Sequence, residues 1–300
     1  MAGPLEEQYQ KLKALYHSRG KERQAIEAYR VFISEHPDHV QAWKDLGALL
    51  HSVEDVAGAL DCYVQVIRFA PEWVEGWRLK AMVLEEFNRS QDPAFSQLQQ
   101  LKNVYKQYYK SLKDLRKDLL ICYDRIVKVD GDPNSSVSRT ALKSKAHILE
   151  QLNKHKEALK IYIDLLPDEK YDRQRHHIQL SISRQYEALK KYDKAINELE
   201  PLIEAGDYYL YLHKARILKL SKKKKEAEEI YQIFLEKIDA KYEETKDVAY
   251  IFQKASGYEQ MGDIEGAINC LDNLLNSGIK MSLQLTANAK DEIARLKRHN

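Results

Sequence analysis

The sequence predicts an all-α protein made by repeating one antiparallel helix pair, and three observations carry that expectation. A pattern running from Trp43 to Pro71 recurs at a spacing of 34 residues. Within it, apolar residues return every three or four positions, the period of a helix with one buried face. The composition also suits long helices: 31% of the 300 residues are charged, with only 11 Gly and 7 Pro. Runs rich in Val, Ile and Thr, the mark of strands, are nearly absent.

The reference stretch is "WKDLGALLHSVEDVAGALDCYVQVIRFAP". Trp43, Leu46, Gly47 and Leu50 mark one helix, and Ala59 and Tyr63 a second; Pro71 ends it because proline cannot continue a helix. Between them "HSVEDV" is too polar and short for a third element. Moving the frame back 34 residues lands on Tyr9, Leu12, Tyr16, Ala25, Tyr29 and Pro37; moving it forward lands on Trp77, Ala81 and Leu84. Downstream, the small residue opening the second helix returns as Ala158, Ala195, Ala227 and Ala267, with Tyr162, Leu199, Tyr231 and Leu271 four positions on. The small residue of the first helix returns as Ala146, Ser183, Ala215 and Ala255. Two helices that cross closely need small side chains where the backbones meet and large ones beside them.

These residues resemble the tetratricopeptide-repeat (TPR) family, whose 34-residue unit carries Trp, Leu-Gly, Tyr, Ala, an aromatic and Pro in this order. The first two units match it closely; later ones drop the closing proline and drift between 32 and 40 residues. The resemblance implies a right-handed superhelical stack of antiparallel pairs, an α-solenoid, as a single domain over 1–300. Its units fall at about 6–39, 40–73, 74–133 with an insertion at 93–118, 138–171, 175–207, 208–246 and 247–278, and 279–300 form a C-terminal capping helix. It also implies a concave groove lined by the first helices. Carried onto this chain, the family's inward positions are Lys143 and His147, then His177, Ser181 and Arg184, then Tyr209, His213 and Arg216. Such a basic, aromatic lining suits an acidic or carboxylate-ended peptide. Earlier units offer Gln10, Lys44, Ala48 and Arg78. Family members that hold chaperone tails use a Lys/Asn set, from which this chain departs: Lys44 is followed by Ala48, and Lys143 by His147.

The third unit breaks the period. The counterpart of Ala59 is delayed to Leu119, with Tyr123 in the aromatic slot, so some 26 residues are inserted. Asp92-Pro93 is a helix-start signal. From there Phe95, Leu98, Leu101, Tyr105, Tyr108, Leu112, Leu115, Leu119, Cys122 and Ile126 follow at intervals of three and four. That spacing predicts one continuous extended helix of roughly 55 Å at 1.5 Å per residue. It carries Lys102, Lys106, Lys110, Lys113, Arg116 and Lys117 against Asp114, interleaved with Tyr105, Tyr108 and Tyr109. Either its apolar seam packs on the chain itself, or the helix projects as a basic arm that meets an acidic partner, another copy of the chain, or RNA.

Chemistry of its own is not expected. His176 and His177 are adjacent, whereas paired ligands on a helix sit three or four apart. "GDPNSS" lacks the Lys-Ser/Thr of a phosphate loop, and "SKKKKEA" falls in an inter-helix turn as a solvated run. Cys62, Cys122 and Cys270 each precede the large residue of a second helix, which suits small core packers rather than a disulfide framework. A net charge of +2 makes no global case for nucleic acid. No apolar run approaches the roughly 20 residues that cross a bilayer, and "MAGPLEEQYQ" lacks the regions of a signal peptide. The expectation is a cytoplasmic protein-protein interaction scaffold, not an enzyme. It would have no metal, cofactor or membrane partner, and the basic helix would be its second docking surface. Two other readings stand behind it: an RNA-associated helical-repeat protein, and a non-catalytic regulatory subunit of an enzyme complex.

Overall fold

The computed structural model describes residues 3–18, 20–91, 101, 104–167, 169 and 172–298. Among these residues all regular structure is helical. The chain falls into two compact units, 1–161 and 162–300. The first holds the pairs α1 (Pro4–Tyr16) and α2 (Glu22–Glu35), α3 (Val40–Ser52) and α4 (Val56–Phe69), and α5 (Val74–Arg89) and α6 (Leu112–Asp130). It also holds α7 (Ser136–Gln151); the boundary lies inside α8 (His155–Leu165). The second holds α9 (Asp172–Ala188) and α10 (Tyr192–Glu204), α11 (Leu210–Leu220) and α12 (Lys224–Thr245), α13 (Ala249–Met261) and α14 (Ile264–Asn276), and a last helix, α15 (Leu283–Arg298). Ile293 and Leu296 of α15 are buried against Ala255, Ala267 and Leu271, so this helix covers the apolar face of the last pair.

The repeated small residues sit where the helices cross. Ala25, Ala59, Ala158, Ala195, Ala227 and Ala267 have no exposed surface at all. Ser183 Oγ donates to the carbonyl of Ala195 at 2.7 Å, so in that pair side chain and opposing backbone are in direct contact. At the same register Gly47 lies under Tyr63; a methyl group added there would stand 2.5 Å from Tyr63 Cε1. The turn inside every pair except α5–α6 repeats as well. Gly20, Glu54, Asn153, Lys190, Lys222 and Gly262 all have left-handed backbone, with φ between 57° and 94°. Each lies five residues before the small residue of the following helix. From Glu54 on, the next residue's N–H closes the turn on the preceding helix, as in Asp55 N to Leu50 O and Lys191 N to Tyr186 O, both 2.8–2.9 Å.

The tryptophans and prolines are coupled directly. Trp43 Nε1 donates to the carbonyl of Pro37, and Trp77 Nε1 to that of Pro71, each at 2.8 Å. The proline that ends one pair thereby offers its carbonyl to the first helix of the next, which accounts for their paired recurrence.

The extended helix expected through 93–118 requires correction. Residues 92–100, 102 and 103, with Phe95, Leu98 and Lys102, lie outside the described residues. Over the rest the helix is broken: Tyr105–Gln107 form a single 3-10 turn, and α6 begins only at Leu112. Ser111 has extended backbone and caps α6 by accepting from Asp114 N. Side chains here take hydrogen bonds outside the helix ladder, both within the segment and to a distant helix. Tyr108 donates to the Ala57 carbonyl at 3.2 Å, and Tyr109 to Asp118. The described seam packs inward: Leu101, Leu115, Leu119, Cys122 and Ile126 are buried in the core of the first unit. The cysteines also divide. Cys62 and Cys122 are buried, and burial pushes both thiols up to about 12. Cys270 is only half-buried.

Candidate binding trough between the third and fourth pairs

In the first unit, α5 and α7 flank a trough whose floor is α6. It consists of a cavity of about 630 Å³ bordered by Arg89, Arg116, Lys143 and His147, and a smaller one of about 280 Å³ bordered by Arg78, Met82 and Thr140. Glu85, Tyr123 and Ser144 line both, which makes them one continuous depression. Both walls are first helices of their pairs, the side on which the TPR resemblance places a groove.

Its floor is held by a polar network linking the three helices. Arg116 Nε donates to Asn88 Oδ1 at 2.9 Å, and Arg116 Nη1 to the carbonyl of Gln151 at 3.0 Å. Asn88 Nδ2 donates to Gln151 Oε1 at 2.9 Å, and the Gln151 amide meets His147 Nε2 at 3.1 Å. Asn88 is 8% exposed, so its amide is committed to these partners. Arg116 pairs with no carboxylate among the described residues, and burial lowers its pKa from the ordinary guanidinium value. A partly desolvated cation whose described acceptors are neutral retains most of its attraction for an incoming anion. Beside it Tyr123 donates to Glu85. Among the described lining residues, Arg78, Arg89, Arg116 and Lys143 face the single carboxylate Glu85. Arg78 pairs with Glu75 at 2.7 Å, while Arg89 is exposed.

Of the residues expected to line a groove, Lys143 and His147 stand in this trough. The other six belong to the second unit. There His177 and Arg184 are exposed on α9 and Ser181 is half-buried. Tyr209, 48% exposed, precedes α11. His213 and Arg216 do not form an open cationic pair: His213 Nε2 lies 2.9 Å from Glu187, and Arg216 meets the same carboxylate through two contacts of 2.6 and 2.8 Å. Desolvation alone would raise the Glu187 pKa, but the bonds from His213 and Arg216 hold it below the usual range. This triad ties α11 to the end of α9 and satisfies its own charge. The remaining arm lysines, Lys106, Lys110, Lys113 and Lys117, are exposed; Lys117 pairs with Asp114 at 3.2 Å.

Sequence reasoning missed Glu187 and the bridging amides Asn88 and Gln151, and it placed Arg116 among the arm's solvated cations. The available signal was register: Arg116 lies one turn from both Leu112 and Leu119 or Leu120, on the packed side of the helix.

The comparisons fit this architecture. Residues 9–39 match the tetratricopeptide repeat family model. No curated protein sequence matches the chain significantly. Among solved structures, the C-terminal part of a TPR repeat-containing protein from Cytophaga hutchinsonii aligns with 91% of this chain and 100% of its own, at 14% identity and a TM-score of 0.52. A tetratricopeptide repeat protein from Parabacteroides merdae aligns over 97% and 98%, at 14% identity and a TM-score of 0.48. No described helix is long and apolar enough to cross a membrane. With a direct family match in its first pair and an all-helical fold like that of a repeat protein over most of its length, the chain resembles the tetratricopeptide-repeat family.

Proposed function

We propose that this protein is a non-catalytic, protein-binding scaffold that holds an acidic segment of a partner in the trough between α5 and α7. The observation that carries the reading is Arg116. A guanidinium fixed by neutral acceptors at the floor of an open trough, with Arg89 on its rim, is preorganised for a carboxylate-bearing chain. The repeat-type fold supports the same class of function, because stacked pairs offer long surfaces to other chains. RNA binding has less behind it. The tyrosines that would stack on bases are engaged, with Tyr109 bonded to Asp118, Tyr108 to Ala57, and Tyr105 packed on the core.

A fluorescein-labelled, end-blocked octapeptide alternating Glu and Ser tests the proposal by anisotropy against the full chain. Arg89→Glu with Lys143→Glu is expected to weaken binding by about tenfold or more, since reversed charges repel the ligand. Equal affinity for the double variant and the parent chain would refute this placement of the site.

A further inference from the structure

The second unit contains a trough of different character. Helix α12 runs for 22 residues, against 13 or 14 for α2, α4, α10 and α14. Its last two turns run beside the first turns of α13, where Lys254 meets Asp239, and α12, α13 and α14 together border a depression of about 720 Å³. The end of α12 supplies one wall through Asp239, Tyr242 and Glu243. The opposite wall is α14, which presents Asn269 and Asn273, both exposed.

The geometry points to this trough as a docking site for an extended, arginine- or lysine-bearing peptide segment of a partner protein. Asn269 and Asn273 are one helical turn apart, about 6 Å along the axis. Alternate residues of an extended chain repeat at about 6.6 Å. Each carboxamide offers both a donor and an acceptor, so the pair matches successive N–H and C=O groups on one edge of such a chain. The charge has the right sign. Asp239, Glu243 and Asp263 face only Lys254 within the lining, and Lys254 is bound to Asp239 at 2.6 and 2.7 Å. Counting Lys246, which pairs with Glu243 from outside the lining, the negative excess persists.

Lys246 also shows what a basic side chain does at this wall. It pairs with Glu243 while its ammonium stands 5.5 Å from the centre of the Tyr242 ring. A partner's arginine can take the same carboxylate-plus-ring contact by displacing it, with the planar guanidinium better suited to the ring face. Cations of this trough's ligand would be repelled by the α5–α7 trough, so the two sites select opposite peptides.

Cys270 lines the depression and provides a built-in reporter. The test measures iodoacetamide alkylation of the full-length chain by mass spectrometry, with Cys62 and Cys122 protected by burial. An end-blocked octapeptide alternating Arg and Ser is expected to slow Cys270 modification by about fivefold or more, while the Glu-Ser peptide leaves it unchanged. Asn269→Ala with Asn273→Ala should abolish that protection with helicity intact, since both side chains are on the surface. Equal protection by both peptides, or by neither, overturns the proposal. Sedimentation velocity closes the remaining case: a dimer of the free chain that dissociates in the Asn269→Ala/Asn273→Ala variant would make a second copy the occupant, and would overturn it equally.

Discussion

Gly47→Ala sets two known effects against each other at one atom. Alanine in place of glycine inside a helix is favourable by about 1 kcal/mol. At this position the new Cβ would stand 2.5 Å from Tyr63 Cε1, 3.0 Å from Tyr63 Cδ1 and 3.1 Å from Cys62 Cβ. The first distance is about 1 Å inside an ordinary carbon-carbon contact of roughly 3.5 Å. Neither neighbour can move cheaply, because Tyr63 is 0% and Cys62 4% exposed. Overpacking of this kind costs about 1–3 kcal/mol, and the steepness of the contact puts this site at the upper end. The net expectation is a loss of about 1–2 kcal/mol.

Tryptophan fluorescence gives a clean readout, because Trp43, Trp73 and Trp77 all lie in the first unit. With a urea slope of about 2 kcal/mol/M, the midpoint should fall by about 0.5–1 M. A double-mutant cycle isolates the clash. In a Tyr63→Leu background the ring is gone, so Gly47→Ala should raise the midpoint through helix propensity alone, giving a coupling of about 2–3 kcal/mol. A rise in the parent background, or a coupling near zero, would refute the close crossing of α3 and α4 at this register.

Three further outcomes follow from the same contacts. Lys190 and Lys222 occupy left-handed turn positions that Gly20 and Gly262 fill in other pairs, so Lys190→Gly and Lys222→Gly should each stabilise by about 0.5–1 kcal/mol in denaturant titrations followed by circular dichroism. The Tyr63 hydroxyl is buried without a hydrogen-bond partner among the described residues, and Tyr63→Phe should leave stability unchanged or raise it by up to about 1 kcal/mol; a clear loss would show that the hydroxyl is hydrogen-bonded. Glu187→Gln should cost about 1–2 kcal/mol at pH 7. Because the folded-state pKa of Glu187 is held below its unfolded value, its contribution is full above about pH 4.5 and fades as the pH falls through the folded pKa. Parent and variant stabilities should converge as the pH falls below about 4.5 through the folded pKa; a gap unchanged with pH would assign the loss to packing instead.

The repeat is legible in the sequence because it is written in residues whose size decides whether two backbones can meet. Ala59, Ala195 and Ala267 announce a helix crossing, and the buried tyrosines and leucines four positions later announce what fills it. The broken insertion was not legible from periodicity, since Tyr105, Tyr108 and Leu112 keep helical spacing across a segment that is not a continuous α-helix. There the outcome turns on individual hydrogen bonds, from Tyr108 to Ala57 and from Tyr109 to Asp118, which a hydrophobic pattern does not encode. The candidate site was half legible. Position on the first helix marks Lys143 and His147 as trough residues. Whether a cation there is available depends on the carboxylate opposite, and Glu187, which captures His213 and Arg216, comes from a different helix.

Both troughs stand where a pair departs from the standard length. In a regular stack each helix faces neighbours of equal length, and the apolar face of one closes against the next. The insertion before α6 adds chain between α5 and α6, and the depression it accompanies exposes Glu85, Arg89 and Arg116 between α5 and α7. The 22-residue α12 carries its last turns along the start of α13, where Tyr242 and Glu243 border the second depression. The lining at these two places is opposite in sign: arginines and a lysine at the first, chiefly carboxylates and tyrosines at the second. Uniform lengthening of a repeat would be neutral for packing and would select no particular charge. Tyr242→Ala with Glu243→Ala, at side chains that are half-buried and exposed, should leave the second unit folded and abolish the protection of Cys270 by the Arg-Ser peptide. Circular dichroism with alkylation kinetics checks both halves. Retained protection in the double variant would show that the end of α12 does not form the wall of the site.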